Sequence, residues 1–485
     1  MTTKIHWWTK THSIWALALL FVLLVGDKPC RACFSIVVGK KASTDGCVIV
    51  AHNEDDAGPQ IVNHHKVPRR SYPAGAKVML RNSGSLEQAP QTWAYLWSQM
   101  PGLLFSDSYV NEWGVTVASD NCPSREDQPE LTDGGIGYML RRLVAERAQT
   151  AREGVLLAGK LVERFGYIDS GRTYIIADPD EGWLFCVVNG KHWLARRVPD
   201  DEVAMVANTY TVRVVNLQNK ANFLASVDIV DYAKSRGWYN PQTDGPFDFA
   251  KVYASPKAAT HPNNIGRQWS GLSDVARDEL EPGPNLPFSV VPKHKLSVLD
   301  AMQVLRHDKE TESGPAPTDS PFICALCSGA TQTSFVTQVR KGVPLDIGLV
   351  YWVCLASPRT SFYIPFHFGI SDFPMGFRLE AQRPTSEVYD RKVQASFTPN
   401  PQEAFWTFSN FRDKVDARGS TAVAAVKIAA QRIEQDAVAL QKPLEKTALQ
   451  LYQSDKAAAL RLLEDYSKGI YLSCLEAMNT VLSQE

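Results

Sequence analysis

Cys33 is the residue of this sequence best placed to do chemistry, because processing could make it the first residue of the chain. A cysteine at an amino terminus carries its thiol and its own α-amine within reach of each other. The amine has a pKa of about 7.7–8.0 and a free thiol one of about 8.5, so each can exchange a proton with the other near neutral pH. The position of Cys33 therefore favours a nucleophile that needs no separate catalytic histidine.

Residues 1–32 have the character of a secretory signal peptide. Two lysines precede an uninterrupted apolar run over residues 14–25, and polar residues follow it. A membrane-spanning helix needs about 20 apolar residues, so the run predicts a cleaved signal rather than a lasting membrane anchor. The cut could fall after Ala32, or after Gly26 with residues 27–32 as a short propeptide. Either route predicts export to a periplasm, to the outside of the cell or to a lysosome-like lumen.

The composition excludes several classes of protein. The chain has 485 residues, 44% of them hydrophobic and 21% charged, which is typical of a globular protein with a large core. Its 51 Lys and Arg balance 52 Asp and Glu, giving a formal charge of −1. Such a balance produces no long-range field that would hold nucleic acid, so we expect no nucleic-acid partner.

The nine cysteines do not form a recognisable metal or redox framework. An odd number leaves at least one thiol unpaired in an exported chain. Cys324 and Cys327 form a lone CxxC without a second pair or a nearby histidine, which favours buried or disulfide-bonded thiols over zinc. The sequence also lacks HExxH, GxSxG, phosphate-loop and dinucleotide motifs, so we expect no metal or organic cofactor.

Strands and helices alternate in the pattern of a sheet covered by helices. Two β-branched runs separated by Thr44-Asp-Gly46 predict a hairpin that starts at Cys33. Apolar residues at helical spacing predict two helices over 136–144 and 151–165, with Thr150 as a cap and Gly166 as a stop. Further strands are predicted in an antiparallel meander over residues 116–118, 174–177, 183–188 and 203–207.

Loop-forming residues and a helical region mark the second half of the chain. Breaks are predicted over residues 279–284 and 309–321, which are rich in glycine, proline and polar residues. Beyond Arg418 the composition becomes rich in alanine, leucine, lysine and glutamate, which indicates helices, with Pro443 expected to divide them. The sequence therefore predicts a main domain over 33–418 and a helical extension over 419–485 that packs on it.

The segment 33–55, CFSIVVGKKASTDGCVIVAHNED, resembles the opening of the cysteine dipeptidases of peptidase family C69, relatives of the secernins. Further matches follow in the same order over most of the chain: NEWGV at 111–115, ERAQTARE at 146–153, GKHWLARRVPDD at 190–201, AN at 207–208, RQW at 267–269 and VYWV at 350–353. The resemblance implies an α+β fold, the αββα sandwich of the N-terminal nucleophile hydrolases, with two antiparallel sheets between helical layers. It also implies hydrolysis of the amide bond of dipeptides.

The resemblance implies roles for particular positions. Cys33 matches the nucleophile, and Asp55 matches an acid that holds the α-amine in the wider superfamily, which includes the cholylglycine hydrolases. Asn111 and Asn208 match amides that stabilise the oxyanion, and Arg267 matches a later basic residue of the site. Three residues before Asp55, relatives often carry arginine whereas this chain has His52, so the charge at this position depends on pH.

The leading hypothesis is an exported cysteine dipeptidase that forms a thioester at Cys33, with a dipeptide or small amide as substrate. One alternative keeps the fold and changes the substrate to a non-peptide amide, as in the acylases. Another is a secernin-like protein that acts through binding partners with little turnover. Related hydrolases often assemble, so the resemblance leaves a homo-oligomer open.

Overall fold

The computed structural model describes residues 33–56, 61–80, 84–100, 105–308, 324–374, 376–378 and 399–484. The predicted signal peptide over 1–32 and the predicted loop over 309–321 lie outside the described residues. Residues 279–284 form the irregular connection that their composition predicts.

A seven-stranded antiparallel sheet carries the start of the described chain. Its strands, in spatial order, are β16 (Ser289–Val290), β14 (Val203–Val206), β1 (Phe34–Val38), β2 (Ile49–Asp55), β17 (Thr331–Val339), β18 (Leu349–Leu355) and β19 (Ile364–His367). The sequence FSIVV of β1 is rich in β-branched residues, and all five are buried. Because β14 and β2 pair with its two edges, β1 is a central strand with its backbone held on both sides.

An eight-stranded antiparallel sheet lies against the first one. In spatial order it contains β15 (Phe223–Ala225), β13 (Trp193–Arg197), β12 (Gly182–Gly190), β11 (Tyr167–Ala177), β10 (Thr116–Asn121), β9 (Phe105–Asn111), β8 (Tyr95–Met100) and β3 (Asn63–Val67). Two small hairpins pair β4 (Arg70–Ser71) with β7 (Gln91–Thr92) and β5 (Lys77–Met79) with β6 (Ser85–Glu87). Apolar side chains from both large sheets, including Ile36, Val50, Leu96 and Ile175, form one core cluster.

The predicted meander is present over β10, β11 and β12, but the last predicted strand leaves it. Val203–Val206 crosses to the other sheet and pairs with β1, Val206 lying opposite Ser35. Alternation of apolar residues predicts a strand but not which sheet it joins, since both sheets bury the same kinds of side chain. This crossing brings the chain after β14 to the end of β1 that carries Cys33.

Eleven helices are present among the described residues: α1 (Met139–Arg147), α2 (Ala151–Phe165), α3 (Ile229–Ser235), α4 (Phe249–Tyr253), α5 (Pro256–Ala259), α6 (Pro262–Val275), α7 (Val298–Leu305), α8 (Leu345–Gly348), α9 (Ala404–Arg418), α10 (Ser420–Ser454) and α11 (Lys456–Ser483). The pair α1 and α2 packs on the outer face of the eight-stranded sheet. The helices α9 to α11 pack on the seven-stranded sheet. The αββα layers implied by the resemblance are therefore confirmed.

The predicted signals around α2 have clear structural counterparts. The Thr150 side chain accepts a hydrogen bond from the Glu153 backbone amide at the start of the helix. Gly166 follows the helix with φ of 77°, a left-handed value that glycine adopts without strain. In a standard capping box the Glu153 carboxylate would accept a hydrogen bond from the Thr150 backbone amide. Here it accepts from the Gln149 backbone amide, so the hydrogen-bonded cap includes one more residue.

The C-terminal helices differ from the expectation at Pro443. Helix α10 runs through this proline without a break and ends at Ser454. A proline costs a helix one hydrogen bond, and buried positions on both sides of it, Gln441 and Glu445, keep the helix against the core. The helical region is also fixed by a buried ion pair, in which the Arg306 guanidinium lies 2.6 Å from Glu434 of α10.

Candidate active site

Cys33 lines a cavity of about 580 Å³ at the start of β1. Its Sγ atom lies 3.3 Å from Oε1 of Glu54 and 3.8 Å from the backbone oxygen of Asp55, both at the end of β2. The residue as a whole is only 6% exposed. The pairing of β1 with β2 thus places a buried nucleophile beside two carboxylates.

A histidine links four polar groups beneath Cys33. In the sheet, Ser35 lies opposite His52, and Nδ1 of His52 is 2.8 Å from Oγ of Ser35. On the other side of the ring, Nε2 lies 3.1 Å from a carboxylate oxygen of Glu54 and 3.1 Å from one of Asp107. The Ser35 hydroxyl in turn donates to Asp120 of the second sheet over 2.5 Å. The network joins both sheets under the nucleophile.

The charges of this network follow from its burial. Burial opposes a positive charge on His52, but the neighbouring Asp107 and Glu54 carboxylates outweigh it and raise the pKa of His52 to about 10. Burial raises the pKa of Asp120 to about 6, in spite of the His52 charge. At neutral pH His52 is therefore an imidazolium, so this position, where the sequence left the charge dependent on pH, carries a positive charge.

The thiol of Cys33 sits in an environment that disfavours its thiolate. Burial raises its pKa well above the ordinary value, and the negative charges of Glu54, Asp120 and Asp55 add to the effect. Asp55 lines the cavity next to the thiol and is 7% exposed. A thiol of this kind needs a nearby base to take its proton as it attacks.

Arg267 and Asn208 come to Cys33 from distant parts of the sequence. Arg267 on α6 is buried, and it donates to the Cys33 carbonyl at 2.8 Å and to Oδ1 of Asn208 at 2.7 Å. Asn208 has φ of 46°, a left-handed conformation that asparagine tolerates better than most residues. Its amide nitrogen donates to the Asn121 carbonyl at 2.9 Å. With its oxygen held by Arg267 and one amide hydrogen on the Asn121 carbonyl, the Asn208 side chain is fixed in the cavity lining and has a second amide hydrogen to donate.

The structure does not bring Asn111 to this cavity. It ends β9 at the opposite end of the β9–β10 hairpin from Asn121, the asparagine that does line the cavity. Both amide hydrogens of Asn111 are used, on the carbonyls of Ala145 and Ala148 at 2.9 and 2.8 Å. Its side-chain oxygen accepts from the turn amides that follow it. We therefore do not propose Asn111 as an oxyanion donor.

Several residues of the site were not predicted from the sequence, above all Glu54, Asp120 and Asn121. Glu54 lies two residues after His52 on a strand, and this spacing places both side chains on one face, so a signal for it was present. Asp120 and Asn121 carry no such signal, since their approach to Cys33 depends on how the two sheets stack.

The cavity lining also contains basic and aromatic side chains. Arg172 is buried with Tyr138 beside it, and Lys257 and His261 are exposed. Asp169, which is partly buried, lines the cavity as well. The lining therefore combines the carboxylates next to Cys33 with the cations Arg172 and Lys257.

One group of side chains in the described part of the chain has the geometry of a metal site, and it is part of the same cluster. Single ligand atoms of Cys33, His52 and Glu54 lie within 4.8 Å of one another. A thiolate, an imidazole and a carboxylate suit zinc. However, the imidazole nitrogen nearest the thiol is engaged by Glu54 and Asp107, and a protonated imidazole cannot bind a metal.

The layers and the placement of Cys33 define a class. Two antiparallel sheets between helices, with a cysteine opening a central strand at a polar cavity, form the architecture of the N-terminal nucleophile hydrolases. Within this class the sequence profile of Peptidase family C69 matches residues 32–92 and 106–415, so the chain belongs to that family.

Curated relatives resemble the chain over most of its length. It is 29% identical over 377 residues to a probable dipeptidase of Salmonella dublin, covering 73% of this chain and 85% of the relative. It is 25% identical over 455 residues to a probable dipeptidase B of Streptococcus pyogenes serotype M1, covering 88% of this chain and 87% of the relative.

Two solved structures are also similar. Penicillin V acylase from Agrobacterium tumefaciens matches with a TM-score of 0.33 and 14% identity, covering 69% of this chain and 86% of the acylase. A mutant conjugated bile acid hydrolase from Clostridium perfringens matches with a TM-score of 0.31 and 12% identity, covering 73% and 99%. In the described part of the chain, no helix combines the length and the apolar character needed to cross a membrane.

Proposed function

We propose that this protein is an exported cysteine dipeptidase whose nucleophile is the thiol of an amino-terminal Cys33. The observation that carries the proposal is the position of Cys33, at the start of a central strand with its thiol in a polar cavity. Membership of Peptidase family C69 and relatives named as probable dipeptidases support the reaction.

In the proposed reaction the Cys33 α-amine accepts the thiol proton as sulfur attacks the peptide carbonyl. A C–S bond forms, and the carbonyl oxygen becomes an oxyanion. The protonated amine then gives its proton to the leaving nitrogen, the C–N bond breaks, and a thioester remains. Water, deprotonated by the same amine, then attacks the thioester. The C–S bond breaks, which releases the amino-terminal amino acid of the substrate and the thiol.

Residues around Cys33 support each part of this cycle. In this proposal Asp55, which lines the same cavity, stabilises the ammonium that forms when the α-amine accepts the thiol proton. The Asn208 amide, whose oxygen Arg267 holds, donates to the oxyanion, a contact worth on the order of 3 kcal/mol in known cases. His52 does not face the substrate in this proposal; its charge balances the carboxylates beneath the thiol.

Maturation is part of the proposed mechanism. An amide nitrogen cannot act as a base, so the chain becomes active only when the bond between Ala32 and Cys33 is cut. We propose that signal peptidase makes this cut, or that residues 27–32 are removed by self-cleavage.

The test combines amino-terminal sequencing of the exported protein with assays on a panel of dipeptides and acyl-amides. We expect Cys33 as the first residue, dipeptide hydrolysis, and loss of hydrolysis in Cys33→Ala and Cys33→Ser. Cys474→Ala, which removes a buried thiol of α11, is the matched control and should keep its activity. Activity that survives Cys33→Ala, or an active chain that retains residues before Cys33, would overturn the proposal. Hydrolysis of acyl-amides alone would indicate an acylase, and no turnover by the mature protein a binding role.

A further inference from the structure

Arg172 is a buried cation that the proposed reaction does not use. It lies on β11, lines the cavity and is 6% exposed. Burying a guanidinium is costly unless hydrogen bonds and an opposite charge compensate it. Such a group at a cavity wall needs a structural or a functional reason.

The guanidinium of Arg172 lies over the Tyr138 ring, 5.0 Å from its centroid, but its hydrogen bonds are long. Its Nη1 atom donates to Oγ of Ser119 over 3.3 Å, and Nη2 donates over 3.4 Å to Asp169 and over 3.5 Å to the Tyr138 hydroxyl. Charged hydrogen bonds in proteins are usually about 2.7–2.9 Å long. Its Nε atom, buried as well, has no hydrogen-bond partner among the described residues. The guanidinium therefore retains the capacity to bind an anion.

The register of the second sheet connects Arg172 to the proposed oxyanion site. Arg172 lies directly opposite Asn121 in the pairing of β10 with β11, so both side chains are on the same face one strand apart. The Asn121 carbonyl accepts the hydrogen bond that orients Asn208. Arg172 and Asn208 thus line the same cavity as Cys33, with Asn121 between them.

The two charges of a dipeptide match charges of opposite sign in the lining of this cavity. Its α-ammonium is attached next to the carbon that sulfur attacks, on the side where Glu54 and Asp55 lie. Its carboxylate belongs to the leaving residue, one residue of about 3.8 Å further on. That carboxylate would lie toward Arg172, whose planar fork of N–H groups suits a carboxylate.

We propose that Arg172, with the Tyr138 hydroxyl beside it, binds the free carboxylate of the leaving amino acid and so restricts the enzyme to dipeptides. The inference rests on the proposed dipeptidase function. A longer peptide presents a neutral amide at this point and leaves the buried guanidinium without its anion. Asp169, 3.4 Å from the guanidinium, shares it with the substrate carboxylate.

The test measures kcat/KM for one dipeptide and for the same dipeptide with an amidated carboxyl end. We expect the unmodified protein to prefer the free acid on the order of 30-fold, the value of a charged hydrogen-bonded contact. Arg172→Met should reduce this preference to about threefold or less, mainly through a higher KM for the free acid, because the contact exists before and during the reaction.

Two further variants separate recognition from general charge and from folding. Lys251→Met removes an exposed cation of α4 that does not line the cavity and should leave the preference unchanged. Arg172→Lys keeps the charge but loses the fork, so the preference should fall about fivefold or more even if Arg172→Met does not fold.

Each outcome bears on one proposal. If the unmodified mature protein hydrolyses no dipeptide, the proposed function fails. If it hydrolyses dipeptides without preferring the free acid, or if Arg172→Lys retains the full preference, the role of Arg172 is overturned while the dipeptidase function stands.

Discussion

The Nε2 atom of His52 lies 3.1 Å from one carboxylate oxygen of Glu54, and the other oxygen of that carboxylate lies 3.3 Å from the sulfur of Cys33. The carboxylate therefore connects a buried positive charge to the nucleophile. This relationship explains how the protein can stay folded at neutral pH with several buried carboxylates around the cavity. The imidazolium offsets the repulsion between those carboxylates.

His52→Gln should destabilise the protein by about 3 kcal/mol or more, since it removes the cation from a buried cluster of carboxylates. The pKa of His52 is raised from 6.5 to about 10 on folding. Its contribution to stability is therefore fully present below pH 6.5 and is lost as the pH rises through about 10. Urea unfolding at pH 6.5 and pH 10.5 should show a smaller effect of the substitution at the higher pH. His294→Gln, which changes a side chain that is 53% exposed, is the control. An equal loss of stability at both pH values in His52→Gln would contradict the prediction.

Glu54→Gln should lower the pKa of the Cys33 thiol. Burial is the largest cause of the raised pKa, and the negative charge of Glu54 is the next. Removing that charge makes the thiolate less unfavourable. The measurement is the rate of alkylation by iodoacetamide as a function of pH, with Cys33→Ala as the background. In Glu54→Gln this rate should begin to rise at a lower pH than in the unmodified protein. A profile that stays in place or moves to higher pH would show that Glu54 does not act on the thiol in this way.

Asn208→Gly should lower kcat by about 100-fold or more, because it removes the proposed oxyanion donor. Glycine is chosen because it adopts the left-handed φ of 46° without strain. The expected mark of this role is a fall in kcat with little change in thermal stability. If kcat is retained, Asn208 is not the donor.

Asn111→Ala provides the matched amide substitution and should behave in the opposite way. This fully buried side chain bonds two carbonyls and two amides beside the turn between β9 and β10. Its removal leaves several of these groups without a partner, at a cost of about 2 kcal/mol or more. We expect a lower unfolding temperature and an unchanged kcat for the folded fraction. A loss of kcat at full stability would return Asn111 to the active site.

Glu434→Gln should weaken the attachment of the helical layer to the sheet. The Glu434 carboxylate binds the Arg306 guanidinium at 2.6 and 3.0 Å, with both side chains almost fully buried. Leaving Arg306 without its counter-ion should cost about 3 kcal/mol in unfolding free energy. Glu476→Gln, an exposed glutamate on α11, serves as the comparison and should change stability little. A similar result for both variants would mean that the buried pair adds no stability.

The sequence was most informative where the signals are local. The hairpin of β1 and β2 and the helix from Ala151 to Phe165 follow from strand propensity, a cap and a stop glycine. The position of Pro443 was misleading, because packing along α10 outweighs the loss of one hydrogen bond.

The site itself depended on contacts that no local pattern contains. Arg267 and Asn208 are 59 residues apart and meet only because β14 crosses to the sheet of β1. Asn111 and Asn121 are both asparagines at strand ends, and only the direction of the hairpin decides which of them reaches the cavity. The resemblance supplied the candidates, and the topology selected among them.

The hydrogen bond of 2.5 Å from the Ser35 hydroxyl to Asp120 joins the two sheets at a point directly beneath the nucleophile. Apolar layers can slide over each other at small cost, since the attraction between them has no preferred direction. A short polar link does not permit such sliding. Together with the contact of His52 with Asp107, it fixes the alignment of the thiol with the second sheet, and small displacements between the layers should impair turnover well before the protein unfolds.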